Sequence, residues 1–328
     1  MDCWKKTLSR AWNFSLGTFL LGALIFCGAC LPAVASPLAT ESQAAIPKDV
    51  QQLIVVDYQA MENSEIAMKL QAKVLPPELK RLQDALEKSG MNVDQSVAQL
   101  AFASYRVRGE DSSRIVGIAS GQFPVQTFLD GFKKHHVKGT QVRNETIYPM
   151  GNTGLEVVFL DQTTMVFGAQ DSIKDSLDAR DGITPNFLTN NAMQNLIPPA
   201  PDDAVWSILD QKGTQEMMRS VLGQAAQVAD YSTVKNSLIG SRYTMDFNQG
   251  VRFSLDVITP DVMTSATMSS LMSAAALYEK MNATTTEKQA INATNITSSG
   301  NLLEVRFSTS DDQFATLLNS QLFQSVIH

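Results

Sequence analysis

Cysteine is nearly absent from this 328-residue sequence, and its placement matters more than its amount. Cys3, Cys27 and Cys30 all fall in a first segment with the features of an export leader. With that leader removed, no cysteine remains. Disulfides, thiol catalysis, zinc–thiolate sites and iron–sulfur clusters are then excluded together. Histidine is almost as scarce: His135, His136 and His328 are too few for a histidine-rich metal centre. Also missing are the Gly-x-Gly-x-x-Gly turn, the phosphate-binding loop, the His-Glu-x-x-His pair and the calcium loop. No cofactor is expected.

The leader is present in three parts. Lys5, Lys6 and Arg10 stand against one acid, Asp2, ahead of an apolar run over residues 14–31. Ala33-Val34-Ala35 then precedes Ser36, which places cleavage between Ala35 and Ser36. The basic end stays on the cytoplasmic side while the apolar run enters the translocon. The alternative is an uncleaved anchor, since a run of about 18 residues lies at the lower limit for crossing a bilayer. Acylation at Cys30 is disfavoured, because Cys27-Gly28-Ala29 before it lacks the usual aliphatic residue. The whole chain has 26 basic and 33 acidic residues, of which the leader holds three and one, so the exported chain carries −9. Such a surface repels nucleic acid, and no nucleic-acid motif is present. The expected location is periplasmic or extracellular.

The hydrophobic period of the remainder alternates between 2 and 3.6, which predicts an α+β fold. Residues 36–50 read as a flexible lead-in. A first unit, 51–197, starts with the strand-like Leu53–Tyr58. Helices are expected near Ser64–Val74 and from Pro77, followed by a hairpin of Gln99–Val107 with Arg114–Gln122. A helix follows Pro124, then strands at Gln141–Tyr148, Leu155–Asp161 and Thr164–Gly168, and a helix capped by Asp171. The proline-dense Leu196–Pro201 marks a boundary, because proline removes backbone donors.

The second unit, 198–328, repeats this order. Ala204–Leu209 is a strand, Thr214–Val228 a helix, and Ser241–Phe247 with Val251–Ile258 the cleanest hairpin. A helix opens at Pro260-Asp261 and runs to about Met281, with Val262, Ala266, Leu271, Met272, Ala275 and Tyr278 expected on its core side. Met263 is expected in the core with Met217 and Met272. Asn282–Gly300 is polar and threonine-rich, Leu302–Ser308 a strand and Gln313–Ile327 a last helix. The architecture expected is two similar units, each an antiparallel sheet with helices on one face.

Few residues point to chemistry. Ser232 and Lys235 have the spacing of a serine nucleophile and lysine base. The companion motifs of penicillin-recognising enzymes are absent, so a helix surface pair is expected. Lys133, Lys134, His135, His136 and Lys138 form the one basic cluster and are candidates for binding an anionic headgroup or polymer. Cations at a helix C-terminus also complement its dipole, which is the simpler reading. The acid pairs sit at turns and helix starts, where carboxylates cap free N–H groups.

Val97-Ala98-Gln99-Leu100-Ala101-Phe102, Gly121-Gln122-Phe123-Pro124 and Gly240-Ser241-Arg242-Tyr243-Thr244-Met245-Asp246 resemble stretches of exported proteins of acidobacterial type. The resemblance covers most of residues 50–328. That group has no assigned activity, so the resemblance implies a bacterial envelope or secreted setting and no catalytic residues. The function expected is a non-enzymatic exported protein binding an unidentified partner or ligand. The alternatives are a hydrolase whose site assembles only in three dimensions and a structural component anchored by the uncleaved leader. Membrane contact is expected only through that leader.

Overall fold

The strand β1 (Val50–Asp57) lies in the middle of one sheet because it is apolar on both sides. In the computed structural model, residues 38–74, 77–88, 92–110, 112–198, 203–222 and 231–320 are described. The expected leader, with its Ala35–Ser36 bond, lies outside them. Residues 35–328 form one compact unit.

Among the described residues the strands form a single 12-stranded sheet of order β11-β12-β10-β9-β8-β1-β2-β3-β7-β6-β5-β4. The strands are β2 (Val97–Arg106), β3 (Ser113–Gly121), β4 (Thr140–Val142), β5 (Glu145–Pro149), β6 (Glu156–Phe159) and β7 (Thr164–Gly168). They continue as β8 (Val205–Leu209), β9 (Gly240–Asp246), β10 (Val251–Ile258), β11 (Thr294–Ser299) and β12 (Leu302–Thr309). Every pairing is antiparallel. The two sheets expected, one in each unit, are joined edge to edge into one: β8 pairs with β1, Trp206 opposite Val55 and Ile208 opposite Leu53. A strand apolar on both faces needs neighbours on both edges as well as covers on both faces, and β1 finds one neighbour in each half.

Alternate residues of each strand define the two faces. On the front, Leu53, Val55, Ala101, Val116, Ile118, Val166 and Trp206 are buried together. They are covered by α1 (Thr40–Ala44), α7 (Gln170–Arg180) and α8 (Asn191–Gln194), with Ile173 and Leu177 of α7 wholly inaccessible. On the back, Ala119, Met165 and Phe167 lie under α4 (Pro77–Lys88), α5 (Val93–Ser96) and α6 (Val125–Lys134). Further along the back, Leu255, Val257, Leu303 and Val305 lie under α9 (Gln211–Leu222), α10 (Tyr231–Val234) and α11 (Val262–Asn282). A fourth cluster joins α2 (Tyr58–Glu62), α3 (Glu65–Val74) and α13 (Asp311–Leu317) through Met61, Ile66 and Phe314. Each fully buried Leu or Ile contributes about 1.5–3 kcal/mol relative to exposure.

Among the described residues, helices therefore cover both faces in the first half and the back alone of β9–β12, where one covered face had been expected throughout. The helix after each half's last hairpin differs accordingly. α7 lies on the front with Ile173 and Leu177, whereas Phe314 of α13 packs on the back with Phe307. β7 ends at Gly168 with φ 154°, a conformation L side chains rarely adopt, while β12 leads into α13 through Ser310 at φ −73°.

Other expectations are corrected by local packing. The lead-in is structured from Leu38 onward: α1 forms there, Leu38, Ala45 and Ile46 enter the core, and Ser176 Oγ donates to the Ala45 carbonyl at 2.5 Å. Gln141–Tyr148 is a hairpin, β4 with β5, turned by Arg143 at φ 55°. Asp171 stands inside the first turn of α7, whose N-cap is Ala169. Asn282–Gly300 contains a helix, α12 (Thr285–Asn292), and strand β11. α12 starts at a capping box in which Glu287 Oε2 accepts from the Thr284 N–H at 2.8 Å. Val262, Met263, Ala266 and Tyr278 are exposed on α11, and Ser265, Met268, Met272 and Ala275 form its buried side.

Candidate ligand cleft

The seam between the two halves opens at one end into a polar cleft of about 630 Å³. Asp49 and Gln51 line it from the start of β1, and Arg106, Val107, Arg108, Glu110, Ser112 and Ser113 from the β2–β3 connection. Lys212 and Glu216 close it from α9.

Each wall has an identifiable cause. Asp210 precedes α9, and its Oδ1 accepts from the Gly213 N–H at 2.7 Å, satisfying a free donor of the first turn. Its other oxygen, Oδ2, accepts from the Arg106 guanidinium, which ties α9 to β2. Gly213 permits this approach, since a Cβ there would stand 3.0 Å from the Gln51 carbonyl oxygen. The Gln51 side-chain amide is 2.7 Å from Ser113 Oγ; with its NH2 on Ser113, its oxygen faces the Arg106 guanidinium. The connection itself is folded back by Arg114, whose Nε donates to Glu110 at 3.1 Å and whose Nη1 donates to Asp175 at 2.8 Å. The Glu110 bond, ahead of the Asp175 bond, holds the Arg114 pKa above its ordinary value. Tyr105 donates to the same Asp175 oxygen at 2.9 Å, and burial pushes its phenol pKa up.

Two kinds of charge therefore line the cleft. Arg106 and Glu110 are committed to Asp210 and Arg114. Arg108, Lys212, Asp49 and Glu216 have no ion-pair partner among the described residues, which leaves two cations and two carboxylates facing solvent. The Ser113 hydroxyl meets the Gln51 amide and no base, and no histidine is in the lining. Among the described residues, no three His, Cys, Asp or Glu side chains are placed to hold a metal ion.

The residues singled out from sequence lie elsewhere. Lys133 and Lys134 end α6, His135 is its C-cap, and His136 follows at φ 53°. With Lys138 they are all exposed, and Lys133 lies 3.8 Å from Asp130 one turn back. The cluster is thus brought together at a helix end but lines no part of the cleft. Ser232 falls within α10 and Lys235 in the 3₁₀ turn after it, where the Lys235 carbonyl accepts from Gln215. The cleft residues escaped sequence reading because they are drawn from positions 49 to 216 and share no spacing. The Arg106-Val107-Arg108 pair of cations at a hairpin turn was the one local signal.

No family model and no curated protein matches the chain. Among solved structures, crystal form I of a protein named TP0453 is similar at a TM-score of 0.50 and 9% identity, over 87% of this chain and 97% of that one. Crystal form III of the same protein gives 0.48 at 9% identity, over 84% and 96%. At such identity the likeness to form I shows a shared fold and nothing finer.

Proposed function

We propose that this chain is an exported, non-enzymatic binding protein of a bacterial envelope or secreted setting, and that its ligand is small, strongly polar and bears both signs of charge. The observation that carries this is the cleft of about 630 Å³ walled by Arg108 and Lys212 with Asp49 and Glu216. Ligand cavities commonly measure about 300–1,000 Å³ and are mostly apolar. A lining this polar suits a zwitterion, held by charge-assisted hydrogen bonds. The basic end of α6 is left as a solvated helix terminus, where cations complement the dipole.

Thermal unfolding of residues 36–328 with amino acids and dipeptides, against acetate, ammonium and neutral sugars, tests the ligand class. A zwitterion should raise the melting temperature, and Lys212→Glu or Asp49→Lys should abolish the rise. Equal responses to singly charged ions, or an unchanged rise in both variants, would refute it. Export rests on the leader, and the exported protein should begin at Ser36. A start at Met1 or an acylated Cys30 would overturn that.

We also propose that the two halves, 51–197 and 198–328, are related units. The strand orders β1-β2-β3-β7-β6 and β8-β9-β10-β12-β11 support this, as do α6 and α11, each following its hairpin and packing on the back. An experimental structure in which these elements fail to superpose would remove the reading.

A further inference from the structure

α11 is 21 residues long and carries no charged side chain from Val262 to Tyr278. At 1.5 Å per residue it extends about 31 Å. Its buried side is Ser265, Met268, Met272 and Ala275. The opposite side is apolar too. Met263 is 79% exposed, Met281 74% and Leu277 66%. Ala266, Ser270 and Ala274 continue the same stripe and are also exposed. Positions 263, 270, 274, 277 and 281 follow the 7-4-3-4 spacing of a single helix face. Exposed large apolar residues elsewhere, such as Ile115, Ile183 and Ile239, lie on separate segments. A helix apolar on opposite sides is normally covered on both.

We propose that the exposed face of α11 is covered by α11 of a second copy of this chain, the two helices antiparallel about a two-fold axis near position 272. That operation brings Met263 onto Met281 of the second copy, Ala266 onto its Tyr278, Thr267 onto its Leu277, and Ser270 onto its Ala274. Methionine meets methionine at the ends, Tyr278 and Leu277 meet the smaller Ala266 and Thr267 inside them, and small residues meet at the centre. The helix axes can therefore approach to about 8–10 Å. The ends also agree: the N-cap Asp261 of each copy falls within a turn of Lys280 of the other. A two-fold contact of this kind is isologous and closes as a dimer.

The chemistry of the stripe favours a second copy over a lipid surface. Helices that lie in a membrane interface carry Lys and Arg along their polar face. Here Lys280 is the one cation of α11, and the exported chain is acidic overall. A single pair of helix faces is a small contact, at or below the low end of about 1,200 Å² for a specific complex. The dimer is accordingly weak, in the micromolar range or above.

Sedimentation equilibrium of residues 36–328 tests this, since that unit is compact without the preceding segment. A reversible monomer–dimer equilibrium is expected. Ser270→Glu and Ala274→Glu, at exposed positions outside the cleft, should each weaken it at least tenfold with an unchanged circular-dichroism spectrum. Residues 36–328 have no cysteine, so geometry can be read directly. A Ser270→Cys chain mixed with an Ala274→Cys chain should cross-link on oxidation, and a Lys288→Cys chain should not. A monomer at all concentrations would overturn the proposal. So would a monomer that binds phosphatidylglycerol vesicles through this face and loses that binding in Ser270→Glu, which would assign the stripe to a lipid surface.

Discussion

Trp206 of β8 and Thr244 of β9 stand directly opposite each other, and between them the front of the sheet changes character. The cross-strand row through this pair runs Val158, Val166, Ile118, Ala101, Val55, Trp206, Thr244, Ser254, Arg306, Asn295. Up to Trp206 it is apolar and lies beneath helices; from Thr244 it is polar. The adjacent row on the back, through Met165, Ala119, Leu100, Val56, Val205, Met245, Phe253 and Phe307, stays apolar as far as β12 and turns polar only at Thr294 on the edge strand β11. The front of β9–β12, which no helix covers among the described residues, carries ion pairs. Asp256 receives Arg242 at 3.0 Å and Arg306 at 2.7 Å.

Substitution on either side of this line should separate the two environments. Trp206 is 2% exposed, so Trp206→Ala should cost about 3–5 kcal/mol. Thr244→Ala, one strand away on the open face, should cost no more than about 1 kcal/mol. Urea denaturation measures both, and similar losses would contradict the change of environment.

The same line shows how far the sequence was legible. Val251–Ile258 alternates polar and apolar residues, which identifies a strand covered on one face, and the structure has that strand with those bounds. Leu53–Val56 and Leu100–Ala103 instead read as nearly continuous apolar runs, the mark of burial on both faces. The signal for two covered faces in the first half was therefore present in composition. The turn at Arg143 was not, since arginine at positive φ gives no glycine or asparagine-glycine cue. Met263 misleads because α11 carries apolar residues on opposite sides, so periodicity could not say which side packs. Beyond the Arg106 and Arg108 cations the cleft left no mark in the sequence: its walls depend on the pairing of β1 with β8, which juxtaposes residues such as Gln52 and Leu209.

Glu156 should make stability fall with rising pH. Its Oε2 is buried without a hydrogen-bond partner among the described residues, and burial raises its pKa above 4.5, partly offset by Gln170. Well below 4.5 both folded and unfolded chains hold the proton, and the site contributes no pH dependence. As pH rises past 4.5 the unfolded chain releases its proton first, so stability declines until the folded carboxyl ionises too. Glu156→Gln should raise the melting temperature at pH 7 and leave it unchanged near pH 3.5. An equal effect at both values would show that the carboxyl charge is not the cause.

Thr284→Ala should cost about 1 kcal/mol by removing one half of the capping box. Glu287 is 6% exposed and would lose the Thr284 hydroxyl, which now donates to its Oε2 at 2.8 Å. Hydrogen exchange should quicken in Thr285–Asn292 before it changes in β10. Uniform acceleration across the sheet would mean that α12 is not a separately opening element.

Gly117 sits between two aromatic residues, opposite Phe102 on β2 and Phe167 on β7. The two rings meet edge to face over it, with centroids 5.8 Å apart and planes at 82°. A Cβ on residue 117 would lie 2.2 Å from Phe167 ring carbons, so the ring must move. Phe167 is 4% exposed and packed on the α6 side of the core, which limits where it can go. Gly117→Ala should therefore destabilise by about 1–3 kcal/mol, as overpacking does, although alanine suits a strand at least as well as glycine. Phe167→Leu alone removes the ring contact and should also destabilise. In the double variant the new methyl group meets a smaller side chain, so the combined loss should be less than the sum of the two. A double-mutant cycle by urea denaturation measures that difference, and simple additivity would show that the glycine is not there to admit the ring.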